Sequence, residues 1–281
     1  MNKTLKKIII FVLAAAMLIA FVGCGDNNGE KVEETTKTPE KEAKNTKKIA
    51  FTFDDGPQAP EEDLEEAVYP YTEYLLDRIE ALGAKATFFV VGNRVETFPE
   101  TVKRAISLGC EIGSHTYSHP QDISFCNLSS EKFNDQIEKA ENAIKAVTGV
   151  KPNLFRPVGG AVSESQLQKL ADRGYTSVAW SIDTKDYDGS FSRYKAEKYP
   201  DDFERFVEEK VNIILNQAYD GGIVLMHDIS MSSVIIFEKA AKKLIDEGYE
   251  LVTVSEILGD VAKTPTARIY TDKGNYQTSR K

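Results

Sequence analysis

The sequence predicts an α/β fold of parallel βα units, closed as a barrel or laid out as a doubly wound sheet. Two observations predict it. Seven short β-rich runs recur between residues 48 and 259, and amphipathic helical stripes lie between most of them. No G-x-G-x-x-G or Walker-type loop follows any run, which weakens the nucleotide-binding versions of such a fold.

In chain order, the first run is Ile49–Phe53, and Tyr74, Leu75, Ile79 and Leu82 then mark one face of a helix. Ala86–Val91, Glu111–Gly113 and Leu154–Phe155 follow as strands, with a long stripe at Phe133, Ile137, Ala140, Ile144 and Val147 before the last of them. Ser163 and Gln166 read as a capping box opening a helix with Leu167 and Leu170 inward. Thr176–Ile182 is read as one strand, followed by a stripe at Phe203, Phe206, Val207, Val211 and Ile214. Ile223–Met226, a stripe at Ile236, Ala240 and Leu244, and Leu251–Val254 complete the pattern.

The flanks read differently. Lys3, Lys6 and Lys7 precede an unbroken apolar run from Ile8 to Val22, too short to span a membrane comfortably, so residues 1–23 read as a secretory signal. Phe21-Val22-Gly23-Cys24 resembles a bacterial lipobox, which implies lipidation at Cys24 and a membrane-anchored, extracytoplasmic protein. An uncleaved anchor and a plain secretory signal are the alternatives. Residues 24–47 are polar, with Val32 as the one large apolar residue after Gly25, and are expected to be a disordered tether. Residues 260–281 are expected to be a polar tail outside the folded domain.

Composition narrows the function. The chain has 281 residues, 41% hydrophobic and 28% charged, with a formal net charge of −9. No basic patch of the kind nucleic-acid binding requires is visible, and three cysteines are too few for a disulfide framework. Oligomeric state is not legible.

In either version of the fold the site lies at the carboxyl ends of the strands. Asp54-Asp55-Gly56-Pro57 follows the first run, and Ser114-His115-Thr116-Tyr117-Ser118-His119-Pro120 follows the third. Arg156-Pro157-Val158-Gly159-Gly160 closes the fourth, Asp183 to Tyr187 the fifth, and His227-Asp228 the sixth. All three histidines of the chain therefore sit just past a strand. His115 and His119, four apart, can turn both imidazoles to one side as half of a zinc site, and one carboxylate would complete three protein ligands. Two adjacent acids can divide the work, one binding metal and the other acting as base. His227, on another strand end, is free to protonate a leaving group. No G-x-S-x-G elbow supports a serine esterase.

Thr52-Phe53-Asp54-Asp55-Gly56-Pro57, His115-Thr116-Tyr117-Ser118-His119-Pro120 and Leu225-Met226-His227 resemble, in order, motifs of the polysaccharide deacetylases, carbohydrate esterase family four. The resemblance covers about Ile49 to Leu258. It implies a distorted (β/α)7–8 barrel as a single catalytic domain over residues 48–259 and metal-dependent removal of N- or O-acetyl groups from sugars. By that resemblance Asp54 is the general base and Asp55, His115 and His119 hold the metal. It also makes His227 the general acid, with Arg156 orienting Asp54, Asp186 tuning His227 and the Gly159 backbone N–H serving as oxyanion donor. The implied partner is an acetylated polysaccharide, with peptidoglycan expected from the anchor. Zinc is the expected ion, and cobalt or nickel suits the same ligands.

Val158 and Gly159 stand where the family's third motif has proline and an aromatic residue, and Tyr187 replaces a tryptophan in the fourth. The acidic stretch from Gln58 to Pro70 is read as a solvated loop, with a substrate-shaping rim as the alternative. Trp180 is read as core, Asp228 as a turn cap, Cys110 and Cys126 as unpaired more readily than bridged, and Tyr117 as either packing or lining the groove. An O-deacetylase, a small-amide amidohydrolase and a non-catalytic sugar-binding lipoprotein remain alternatives.

Overall fold

The computed structural model of the chain describes residues 46–58, 70–191 and 193–280. The leader with Cys24, the tether as far as residue 45 and most of the acidic stretch lie outside the described residues. The elements run β1 (Lys47–Asp54), α1 (Tyr71–Leu82), β2 (Thr87–Val90), α2 (Gly92–Thr97), α3 (Pro99–Ser107), β3 (Glu111–Ser114) and α4 (Ser130–Thr148). Next come β4 (Leu154–Phe155), α5 (Glu164–Asp172), β5 (Thr176–Val178), β6 (Ile182–Asp183), α6 (Arg193–Lys198) and α7 (Pro200–Gln217). β7 (Gly222–His227), α8 (Met231–Asp246), β8 (Tyr249–Leu251), α9 (Val254–Leu258), β9 (Ile269–Tyr270) and β10 (Tyr276–Gln277) complete the chain.

The strands order β10-β9-β5-β4-β3-β2-β1-β7-β6, with β8 also on β1, and every pair is parallel except β9 with β10. β1 is the axis of the fold. β7 pairs with it over Ile49–Asp54, while β8 takes Lys47–Ile49 and β2 takes Thr52–Asp54 on the opposite edge. Ile49, Ala50, Phe51, Thr52 and Phe53 are all fully buried, because a parallel strand is covered on both faces. Ile49, Phe51 and Phe53 join a cluster with Leu75, Ile79 and Phe237 of α1 and α8, whereas Ala50 joins Phe89, Leu154, Val178 and Ile223 on the other face. The alternation follows from the period-two side-chain geometry of a strand.

Two sequence expectations change. The run Thr176–Ile182 is not one strand: Ala179 N donates to Tyr270 O, and Ser181 N donates to Ile223 O. The chain thus leaves β9 for β7 between β5 and β6, which do not pair, and this break distorts the barrel. Trp180 sits in the break and is only partly buried.

The folded domain does not stop at Gly259 either. β9 pairs with β5, and Ile269 is fully buried in a cluster with Phe155, Leu167 and Tyr175. Two-residue strands carry no readable period, so the polar composition of residues 260–281 hid them. Cys110 and Cys126 are unpaired, the first buried beside α3 and the second part-exposed in the turn before α4.

The capping box at Ser163 and Gln166 forms, with both reciprocal bonds present. Ser129 and Ser230 cap α4 and α8 by one bond each, the hydroxyl accepting from the backbone N–H of Lys132 and of Ser233. α8 therefore begins directly behind the end of β7, where His227 stands.

Candidate active site

The ladder register sets Asp54 of β1 beside His227 of β7 and beside Phe89 of β2. The last residues of the parallel strands therefore share one end of the barrel, and the loops leaving them meet there. Among the described residues, Asp55, Thr116, His119 and Lys185 are the non-glycine residues with positive φ, at 77°, 72°, 49° and 51°. All four lie in these loops, where surrounding contacts hold the backbone in sparsely populated regions.

Asp55, His115 and His119 converge. Asp55 Oδ1 stands 3.4 Å from His115 Nε2 and 3.2 Å from His119 Nε2. One ligand atom from each residue lies within 4.8 Å of the other two. His115 Nδ1 is 2.7 Å from the carbonyl oxygen of Arg156, which can only accept, so Nδ1 carries the proton and Nε2 presents its lone pair. Burial pulls the His115 pKa down to about 3, against the opposing pull of Asp55, and the ring is neutral at working pH. Asp55 Oδ1 is itself buried and receives no hydrogen bond. An orphaned buried carboxylate oxygen facing the Nε2 atoms of two imidazoles is what a bound cation would satisfy. These three residues fit a divalent metal.

The loop holding the two histidines is fastened from α2 and α4. Gln136 Oε1 accepts from Tyr117 N and Ser118 N, both at 3.0 Å, and Thr116 Oγ1 accepts from His119 N at 3.1 Å. Tyr117 packs against Gly92, where an added Cβ would lie 2.9 Å from its ring, and its hydroxyl donates to Glu96. Arg94 of α2 donates from Nη1 to the carbonyl of Asp55, anchoring the other ligand. Sequence reading missed Arg94, although it stands four residues past the second strand.

Asp54 is 3% exposed, and its two oxygens have separate surroundings. Oδ1 accepts from Arg156 Nη1 at 2.7 Å, while Oδ2 is 3.8 Å from His115 Nε2. Arg156 is fully buried and its donors are distributed: Nη1 also reaches Thr52 Oγ1 at 2.6 Å, Nη2 reaches Ala179 O at 2.7 Å, and its guanidinium lies 4.0 Å over the Phe89 ring. Burial raises the Asp54 pKa, and Arg156 opposes the rise.

His227 and Asp186 form the third group. Asp186 Oδ1 is 2.8 Å from His227 Nδ1, and Oδ2 accepts from His227 N at 2.8 Å and from Ser233 Oγ at 2.6 Å. Thr184 Oγ1 adds a fourth bond at 3.2 Å. Burial disfavours the imidazolium, but Asp186, by charge and hydrogen bond, and then Asp54 and Asp55 outweigh it and push the pKa up to about 9. Tyr187 meets the ring edge-on at 5.2 Å and is itself half-exposed. Gly159 lies exposed in a single turn at Val158–Gly160 with φ 59°.

Asp228 is not a simple turn cap. It is buried, and its Oδ2 accepts from Thr72 Oγ1 at 2.6 Å. A Cβ added to Gly56 would lie 1.9 Å from that oxygen, so the Asp55-Gly56 turn is moulded against Asp228 and requires glycine. Burial pushes the Asp228 pKa up to about 7.

The family model described as polysaccharide deacetylase matches residues 41–178. The chain is 34% identical over 247 residues to the peptidoglycan-N-acetylglucosamine deacetylase PgdA of Listeria monocytogenes, covering 88% of this chain and 46% of that protein. It thus spans less than half the length of that relative. A peptidoglycan-N-acetylglucosamine deacetylase of Bacillus cereus is 33% identical over 219 residues, with 76% of this chain and 89% of that protein covered. The structure of the peptidoglycan deacetylase PdaC of Bacillus subtilis superposes with a TM-score of 0.63 at 33% identity, covering 79% of this chain and 95% of that one.

Proposed function

Since the chain belongs to the polysaccharide deacetylase family, we propose that it is a metal-dependent hydrolase that removes acetyl groups from N-acetylglucosamine-containing cell-wall polysaccharide, peptidoglycan foremost. The observation that carries this reading is the division of labour around Asp54. One of its oxygens is held by Arg156, and the other faces the Asp55, His115 and His119 cluster.

Asp55, His115 and His119 would hold the cation, with zinc as our reading and cobalt or nickel suited to the same donors. When bound, such an ion supplies Lewis acidity that polarises the acetyl carbonyl and lowers the pKa of water. Asp54 Oδ2, the oxygen left free by Arg156, accepts the proton of the attacking water. Arg156, itself steadied by Thr52, holds that carboxylate in one orientation, and its raised pKa favours proton uptake. The Gly159 N–H offers a backbone donor to the developing oxyanion. His227 has Nδ1 occupied by Asp186, so Nε2 remains to deliver a proton to the departing amine. With its pKa about 9, that proton is in place at neutral pH.

The pattern of residues 1–24 supports anchoring through a lipid on Cys24, with residues 25–45 as a reach into the wall. In a bacterial host, Cys24→Ser should abolish fatty-acid labelling. The catalytic reading is tested with the zinc-loaded full chain on N-acetylglucosamine oligomers and peptidoglycan glycan strands, following acetate. Release that disappears in Asp54→Asn and in chelator is the expected result. No release from either substrate at one metal per chain would overturn the reading.

A further inference from the structure

Gly160 closes the turn after Arg156 with φ 70°, and a Cβ there would lie 2.8 Å from Trp180 Cη2 and 3.5 Å from Arg280 Cδ. An indole and an arginine stem therefore tuck directly against this loop. Arg280 arrives from the segment after β10: its N–H donates to Val162 O at 3.1 Å, and its carbonyl accepts from Val162 N at 2.7 Å. This two-way bridge fixes its backbone at the same end of the barrel as the candidate active site. The guanidinium carbon stands 4.4 Å from the centroid of the Trp180 ring. The Arg156 guanidinium, which holds Asp54, stands 5.7 Å from the same ring.

The two arginines differ in their partners. Arg156 is fully buried, and Asp54, Thr52, Val178 and Ala179 engage its fork. Arg280 is part-exposed, and none of the carboxylates among the described residues pairs with its guanidinium. Stacking on an indole holds a guanidinium plane in one orientation while leaving its N–H edge free for a planar anion. Gly159, exposed and without a side chain, stands in the same turn, next to the Gly160 that this plate packs against.

We propose that Arg280, stacked on Trp180, is a specificity-determining subsite that binds the carboxylate of an acidic sugar in a glycan held at the candidate active site. The inference rests on the deacetylase reading for the glycan and deepens it. It adds a preference for acidic chains carried by a residue far from the motifs in sequence. The carboxylate could come from the lactyl ether of a muramic residue or from a uronic acid.

Trp180 is the sole tryptophan of the chain, so its emission reports this plate and nothing else. The full chain is titrated with three saccharides, reading Trp180 fluorescence and calorimetric Kd. One alternates N-acetylglucosamine with N-acetylmuramic acid, one is the same oligomer with its carboxylates converted to carboxamides, and one alternates N-acetylglucosamine with glucuronic acid. The acidic muramic oligomer is expected to bind about tenfold more tightly than its carboxamide, as a charged hydrogen-bonded pair implies, with a change in Trp180 emission. R280Q brings that ratio to about one, and R280K, which keeps the charge and loses the fork, lies between. Tight binding of the glucuronate oligomer as well assigns the subsite to sugar carboxylates in general; tight binding of the muramic oligomer alone assigns it to the lactyl ether. Equal affinity for acid and carboxamide in the unmodified chain, a ratio that survives R280Q, or no binding of any oligomer would overturn the proposal. Acetate release from the same oligomers reads the deacetylase reaction separately, so a lost ratio with release intact refutes only the subsite.

Discussion

Replacing Asp186 with asparagine should move the alkaline limit of activity and leave the rest of the profile in place. Asp186 is fully buried and accepts from His227 N, His227 Nδ1, Ser233 Oγ and Thr184 Oγ1. Burial alone would hold the His227 imidazolium below its ordinary pKa, and Asp186 is the chief reason that it stands at about 9 instead. The distance from the ordinary value near 6.5 corresponds to about 3 kcal/mol in favour of the charged ring. An asparagine removes the charge and turns one acceptor into a donor facing donors, which adds a stability cost of about 1–3 kcal/mol.

Activity that needs a protonated His227 falls as pH rises through about 9 in the unmodified protein, and should fall at or below neutrality in Asp186→Asn. The same linkage acts on stability. The His227–Asp186 contribution is fully present below about pH 6.5 and is lost as pH rises through about 9. The assay is the pH dependence of acetate release from an N-acetylglucosamine oligomer, beside an NMR titration of the His227 ring. A merely structural defect would lower the amplitude at every pH without moving the limb. An alkaline limb that stays near 9 in the variant would refute the reasoning.

Three further outcomes follow from the geometry. Asp55→Asn removes the anionic ligand from between the two imidazoles, and metal affinity measured by competition with a chelator should fall by about 100-fold or more; unchanged affinity would exclude Asp55 as a ligand. Gly56→Ala drives a methyl into the Asp228 carboxylate, which Thr72 holds in place, and should cost about 2 kcal/mol or more in urea unfolding. Truncation after Gly259 removes β9 and exposes the edge of β5. The lost burial of Ile269 and Tyr270 should cost about 3 kcal/mol or more, a drop of about 10 °C in Tm; an unchanged Tm would show that the segment is dispensable.

Much of the site was legible because chemistry collects where parallel strands end. Asp54, Asp55, His115, His119, Arg156, Asp186 and His227 each follow a run whose apolar pattern is readable, and the structure brings them to one end of the barrel. Arg94 follows the same rule and was open to the same reading. Thr184 and Ser233, which hold Asp186, were not, since an isolated hydroxyl carries no signal until a buried carboxylate stands beside it. Asp228 misled because its acid-after-histidine position suits a turn. Only its packing against Gly56 reveals what it does.

The sequence by itself determined the βα repeat, the strand-end residues and the capping box at Ser163, because each rests on contacts within a few residues or on a local period. Tertiary structure alone decided that Thr176–Ile182 breaks into two strands, that residues 269–270 complete the sheet, and that Arg280 reaches Trp180. It also decided which oxygen of Asp54 is held and which is free. Those features depend on partners tens to hundreds of residues away. Burial and pairing energies set them, and no local pattern records where the chain will return.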